Sequence, residues 1–344
     1  MQTKILKVNP KNPKSSQIRQ AAKIIRSGKL VAFPTETVYG IGANALDPSA
    51  VKRIFVAKGR PSDNPLIVHI SDIADLGILV DHIPESSFDV IDKFWPGPLT
   101  IVFKKSKIVP KIVTGGLDTV AIRMPKNKIA NMLIVEAGTP IAAPSANIAG
   151  RPSPTTAKHV IDDLSGRISM ILDGGHTKIG IESTVIDLSR NTPMLLRPGG
   201  ITLEQLQKVL GKVAIHPIIY GKKTKSAHRS PGMKYRHYSP RAKIILIQGT
   251  KSKVNKKISQ LVQYYKNQGL HVGILSMEKN STKSDMIRFI GNNPNRIASN
   301  LFKSFREFDD RKIDIVLAQE ISQKGIGLGI MNRLGKAAYK KIKA

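Results

Sequence analysis

In "SSQIRQAAKIIRSGK" apolar residues recur at helical spacing behind capping serines, and a short apolar run, Leu30 to Phe33, follows as a strand. "LDPSAVKRIFVAK" starts a second helix, with Asp47 as N-cap and Pro48 at the first helical position. Strand-like runs recur at Leu66–Ile70, Leu99–Phe103, Val120–Ile122, Ile141–Ala143, Ser169–Leu172, Thr184–Asp187 and Met194–Leu196, with helical segments between several of them. Some of these runs are joined by turns too short for a parallel crossover, so the sheet is expected to be mixed. "ITLEQLQKVLG" closes this part with a helix, and regular periodicity then disappears from Lys212 to Arg241. Beyond it, "AKIILIQG", a helix near 252–267, "HVGILSM", a helix near 296–308 and "IDIVLAQEI" alternate as in a small doubly wound sheet. The pattern therefore predicts an α/β chain: an N-terminal open twisted mixed sheet with a concave site over 1–211, a linker over 212–241, and a small Rossmann-like parallel α/β domain over 242–344. The last lacks a G-x-G-x-x-G loop after its first strand, so no dinucleotide is expected there.

Composition narrows the class. At 344 residues two domains are expected, and 41% hydrophobic residues suffice for real cores. No run of about 18 apolar residues suggests a membrane span, and "MQTKILKVNPKNPKSSQ" lacks the apolar core of a signal peptide. The chain has no cysteine, which excludes disulfides, thiolate metal sites and a cysteine nucleophile. A cytoplasmic setting is expected. The net charge is +31, of which the part after residue 210 carries +21. Such a bias suits a polyanionic partner, and equally a solvated lysine-rich surface.

Candidate chemistry gathers where strands end, the usual ligand position in open α/β sheets. "FPTETVYGIGANA" brings Thr35, Thr37 and Gly40; "KGRPSDNPLIVH" brings Lys58 and Arg60 beside a turn, then Asn64 and His69. Two such cations suit phosphate or carboxylate, although basic residues also cap helix C-termini. As turn residues they are expected to be exposed and cheap to remove. A lone strand histidine is more often a satisfied structural one. "LDTVAIRMP" puts Thr119 and Arg123 on an apolar strand, where an arginine needs an anion. "IAAPSANIAGRPSP" gives Ser145 and Asn147, "DGGHTKIGIESTVID" gives Ser183 and Thr184, and "LLRPGG" gives Arg197. One concave anion site accounts for all of them. No Walker A loop, H-E-x-x-H or Ser-His-Asp signature is present, which leaves positioning and charge stabilisation, as in phosphoryl or nucleotidyl transfer.

These residues are similar to a known family. "KGRPSDNPL" with "SAN" resembles the lysine-x-arginine and serine-x-asparagine signature of threonylcarbamoyl-AMP synthases, and "FPTETVYGIGA", "WPGPLT", "IRMP", "ESTVID", "LRPGG" and "SPGMKYRHYSP" follow in that family's order. "GIGLGIMNRLGKAAYK" resembles the end of its long two-domain form. The resemblance implies an enzyme, a nucleotidyltransferase that makes threonylcarbamoyl-AMP and pyrophosphate from L-threonine, bicarbonate and ATP, with Mg2+ on the phosphates and none assigned to protein side chains. The product serves threonylcarbamoyl-adenosine modification of tRNA beside the anticodon, through a downstream transferase complex. By resemblance, L-threonine is bound by Thr35 or Thr37, His69, Arg123, the backbone at Ala143, and Ser183. ATP is held by Lys58, Arg60, Asn64, Thr119, Ser145, Asn147 and Arg197, with Lys58, Arg60, Ser145 and Asn147 as the catalytic set. The interdomain "SPGMKYRHYSPRAK" is then a lid, with Tyr235 or Tyr238 on ATP and Lys234 and Arg236 on phosphate. Two other readings compete: a non-catalytic double-stranded RNA or tRNA binder of the same fold, and a carbamoyl-transfer enzyme, which carries extra acylphosphatase-like or zinc-finger regions, the latter impossible in a cysteine-free chain.

Overall fold

The computed structural model describes residues 2–222, 238–278 and 282–344. It divides into two compact units, residues 1–149 with 153–235, and residues 150–152 with 236–344.

In the first unit eleven strands form one sheet: β1 (Lys4–Lys7), β2 (Val31–Pro34), β3 (Tyr39–Asn44), β4 (Ile67–His69), β5 (Leu99–Lys104), β6 (Thr119–Arg123), β7 (Ile141–Ala142), β8 (Met170–Asp173), β9 (Thr184–Asp187), β10 (Met194–Arg197) and β11 (Ala214–Ile215). Their order is β1-β8-β2-β3-β7-β4-β6-β5-β9-β10-β11, and parallel pairs (β1 with β8, β4 with β6) alternate with antiparallel ones (β2 with β3, β5 with β6). The sheet is mixed, as the short turns require.

Two helices decide the site. Helix α1 (Ser15–Arg26) buries Ile18, Ala21, Ala22 and Ile25 against Phe33, Leu133 and Met170. Helix α2 (Pro48–Lys58) starts where Asp47 accepts the N–H groups of Ser49 and Ala50, and ends at Gly59 in the left-handed conformation. That stop leaves Lys58 as its last residue, buried rather than solvated.

Besides β1, which the sequence pattern does not mark, two parts of this unit escape it. β3 lies in "YGIGAN", which reads as loop, yet it pairs with β2 through a tight turn at 35–38. Gly42 is needed there: a Cβ would sit 2.7 Å from both Ile141 Cγ2 and Phe33 Cε1. Secondly, the segment 212–241 is not uniform. Ala214 N–H bonds the Pro193 carbonyl and His216 N–H bonds that of Leu195, adding β11 to the sheet, and a 3-10 turn follows at Pro217–Tyr220. A two-residue edge strand has no period to recognise. The proposed lid residues Lys234, Tyr235 and Arg236 lie outside the described residues.

The second unit holds β12 (Lys243–Gln248), β13 (Val272–Ser276), β14 (Met286–Phe289), β15 (Ile315–Gln319) and β16 (Ala338–Lys343) in the order β14-β13-β15-β12-β16. Every pairing is parallel, as the Rossmann-like reading expects. Residues 150–152 belong with this unit. Ser239 N–H bonds the Gly150 carbonyl at 2.9 Å, and Arg306 Nη2 bonds that of Pro152 at 2.6 Å.

Candidate active site

The loop after β2, the turn from the end of α2 to β4, strands β4 and β6 themselves, the loop after β7, the start of β9 and the end of β10 hold the predicted residues of the first unit, and hydrogen bonds connect many of them. One group centres on Lys58. Its side chain is 2% exposed, and Nζ donates to the Ser145 carbonyl at 2.6 Å and to that of Asn147. The expectation of an exposed turn cation is corrected here: the αL stop at Gly59 aims the lysine inward, and the carbonyls after β7 receive it. Ser145 Oγ donates to Asn147 Oδ1 at 2.6 Å, and Asn147 Nδ2 donates to the Ile148 carbonyl. The loop is held to β3 by a bridge between Gly40 and Ser145 and by Ala146 N–H on the Tyr39 carbonyl. Arg60 folds over its own turn, with Nη2 on the carbonyls of Asn64 and Pro65 at 3.2 and 3.0 Å.

A second group surrounds Arg123, which is 3% exposed. Nε donates to the Gly97 carbonyl, Nη1 to Thr37 Oγ1 at 2.9 Å, and Nη2 to Glu36 Oε1 at 2.6 Å. The anion that an arginine on an apolar strand requires is thus supplied within the chain. Sequence reasoning passed over Glu36, although an acid between two threonines in a cation-lined loop was a signal. Thr35 Oγ1 donates to the Val38 carbonyl and accepts the N–H groups of Thr37 and Val38, which makes it the turn residue. Thr37 donates to Thr35 at 2.8 Å and faces the guanidinium. His69 is the register neighbour of both Arg123 and Ile141. Burial first, and the charge of Arg123 second, push its imidazole down to about 3. It is neutral at any working pH. Ala143 N–H is used on the Ile67 carbonyl.

A third group joins Ser183 to Arg197. Nε and Nη2 of the arginine bond the Ser183 carbonyl and hydroxyl at 2.9 and 3.0 Å, and Thr100 Oγ1 shares a 2.7 Å hydrogen bond with the same hydroxyl. Gly180 N–H on the Thr37 carbonyl ties this loop to the second group.

Asn64 Nδ2, His69 Nδ1 and Thr119 Oγ1, among the buried polar atoms here, have no hydrogen-bond partner. Each costs about 1–3 kcal/mol if left so, and each belongs to a residue that sequence reasoning placed in a ligand site. Tyr238 is different. Its buried ring stacks on Phe302 at 5.3 Å between centroids, and Arg333 lies over it at 5.6 Å. This ring, one of the two expected to meet ATP, packs on neighbours that belong to the second unit. Tyr235 lies outside the described residues.

Cationic groups at strand ends, an inward lysine at a helix end and buried polar atoms without partners are the features that an α/β anion-binding pocket needs. The family model described as telomere recombination matches residues 23–199, and that described as the C-terminal domain of threonylcarbamoyl-AMP synthase matches 201–339. The threonylcarbamoyl-AMP synthase of Pyrococcus abyssi is 54% identical over 328 residues, covering 95% of this chain and 96% of the relative. That of Bacillus subtilis is 47% identical, covering 94% and 93%. The crystal structure of P. abyssi Sua5 complexed with L-threonine superposes with a TM-score of 0.96 at 52% identity, over 99% of this chain and 100% of that one. The chain belongs to the threonylcarbamoyl-AMP synthase family.

Proposed function

We propose that this chain is an enzyme that joins L-threonine, bicarbonate and ATP into L-threonylcarbamoyl-AMP, releasing pyrophosphate, for the threonylcarbamoyl modification of tRNA. Its family membership supports the reaction, and the carrying observation within the chain is the presence in one unit of a buried arginine–threonine–histidine group, a lysine and asparagine buried beside Ser145, and buried polar atoms without partners. A simple RNA-binding face offers its cations to solvent, whereas Lys58, Arg123 and Arg197 are all buried.

Arg123 has five N–H donors and uses three on the Gly97 carbonyl, Thr37 and Glu36, so two remain for the threonine carboxylate. Neutral His69 and the Ala143 carbonyl can accept from the ammonium or hydroxyl of the amino acid, and Ser183 lines the same pocket. Thr37 rather than Thr35 is the threonine-side hydroxyl, since Thr35 is spent on its own turn. Lys58, Arg60 and Arg197 neutralise the triphosphate, with Asn64, Thr119, Ser145 and Asn147 as polar contacts. No covalent intermediate is needed. The threonine nitrogen bonds the bicarbonate carbon as water leaves, an oxygen of the resulting carbamate attacks the α-phosphorus, the bond from that phosphorus to the bridging oxygen breaks, and pyrophosphate leaves with the charge that Lys58 and its neighbours stabilise. Among the described residues no cluster of three His, Cys, Asp or Glu stands ready for a metal. Mg2+ is therefore expected to arrive on ATP, bound by phosphate oxygens and water.

The test is pyrophosphate release measured with ATP, L-threonine and bicarbonate present together and singly omitted, with the product identified by mass. Release that ignores threonine overturns the reading.

A further inference from the structure

We infer that the first unit carries a docking groove for an acidic amphipathic helix of a partner protein, at the end of the sheet away from the threonine loop. A cavity of about 580 Å³ is lined by Lys29, Leu30, Ser49, Lys52, Arg53, Val56, Ala57, Arg167, Ile168 and Ser169. It opens at the N-terminal ends of two neighbouring strands. Ser169 N–H bonds the Leu30 carbonyl just before β8 and β2 begin, whereas Thr35 and Thr37 follow the other end of β2. The groove and the threonine loop thus lie at opposite ends of one strand.

The lining has two chemistries. Leu30, Ala57 and Ile168 are buried aliphatic groups that form an apolar floor, and Val56 stands above them 72% exposed. On the wall formed by α2, positions 49, 52, 53 and 56 share one helix face, opposite Val51, Ile54 and Phe55 in the core. Lys52 and Arg53 rise on that wall, and Lys29 and Arg167 come from the strand-entry loops, all four exposed. Asp47, an acid beside the groove, is already committed to capping Ser49 and Ala50.

Cations alone would suit nucleic acid. An aliphatic floor suits it poorly, because no aromatic ring lines the groove for a base to stack on. A concave aliphatic floor between two basic walls complements a helix whose apolar stripe is flanked by aspartate and glutamate.

The test uses the full chain and a synthetic helical peptide with leucines at i, i+3, i+4 and i+7 flanked by glutamates, alongside the same peptide with glutamine at the flanks. We expect the acidic peptide to bind and to shift the methyl NMR signals of Val56 and Leu30. V56E and the K52E/R53E pair should each weaken it tenfold or more, with threonine-dependent pyrophosphate release unchanged. The glutamine peptide should bind more weakly than the acidic one. A tRNA transcript is the competing probe: if K52E/R53E weakens the transcript while V56E leaves peptide binding unaltered, the groove is a nucleic-acid surface and the proposal fails. Peptide binding indifferent to both variants also overturns it.

Discussion

Arg123 Nη2 and Glu36 Oε1 meet at 2.6 Å in a buried ion pair whose side chains are 4% and 11% exposed. The carboxylate also receives Lys126 N–H on its second oxygen. Glu36 therefore fixes the guanidinium from one side while Thr37 fixes it from the other, and the orientation that a substrate carboxylate meets is set before it arrives. Removing one partner of a buried pair leaves an uncompensated charge, at a cost of about 3–5 kcal/mol. Glu36→Ala should lower the thermal midpoint strongly, and Glu36→Ala with Arg123→Met should recover part of that loss. Arg123→Lys should keep the charge, lose the fork and raise the KM for threonine more than that for ATP. Unchanged threonine kinetics in Arg123→Lys would remove this residue from the pocket.

Lys58 is expected to matter for stability as well as turnover. Lys58→Met removes the ammonium from two backbone carbonyls, those of Ser145 and Asn147. The stability loss should be about 1–3 kcal/mol by urea unfolding, and pyrophosphate release should fall below detection. A variant with normal turnover would separate this lysine from the phosphates.

His69 has a pH signature. Its folded value, about 3, lies below the ordinary 6.5, so between those values the unfolded chain binds the proton and the folded chain does not. Stability from this residue is complete above pH 6.5 and falls as pH drops toward 3, by at most about 1.4 kcal/mol per unit. His69→Gln should flatten that part of the stability curve. The rate profile near pH 6.5 should show no limb that disappears in this variant, because His69 stays neutral there.

Gly199 lies against the backbone of the Ser183 loop. A Cβ would stand 2.3 Å from the Glu182 carbonyl oxygen and 2.5 Å from Thr184 N, both main-chain atoms that cannot swing aside. Gly199→Ala should displace Ser183 and lower kcat/KM for threonine at least tenfold. Gly150→Ala, where a Cβ meets nothing within 4 Å although φ is positive, should spare the threonine site. Equal kinetics in the two would show that the contact is relieved elsewhere.

The helices and buried strands were legible because their periodicity is strong: Ile18, Ala21, Ala22 and Ile25 all face the core. The candidate site was legible as residue types at strand ends. Side-chain direction was not. Whether Lys58 points to solvent or inward depends on a left-handed stop at Gly59 and on carbonyls 87 and 89 residues away. Glu36 could not be matched to Arg123 across an equal span, and the stacking of Tyr238 on Phe302 joins residues 64 apart. Short strands such as β11 owe their place to backbone pairing, which no side-chain pattern announces.

The pairing of residues 150–152 with the second unit makes the chain cross between units more than once, three residues after Asn147. A cut within 223–237 would leave two fragments, yet the first would still contribute Gly150 and Pro152 as carbonyl partners of Ser239 and Arg306 in the second. Arg151 also attracts the Asp309 carboxylate, which accepts Arg241 and Ala242 N–H. The protein is in this sense interlaced, and the halves are suited to fragment complementation. Separately expressed chains ending at 222 and beginning at 238 should find each other through a three-residue tongue, with no covalent bond to join them.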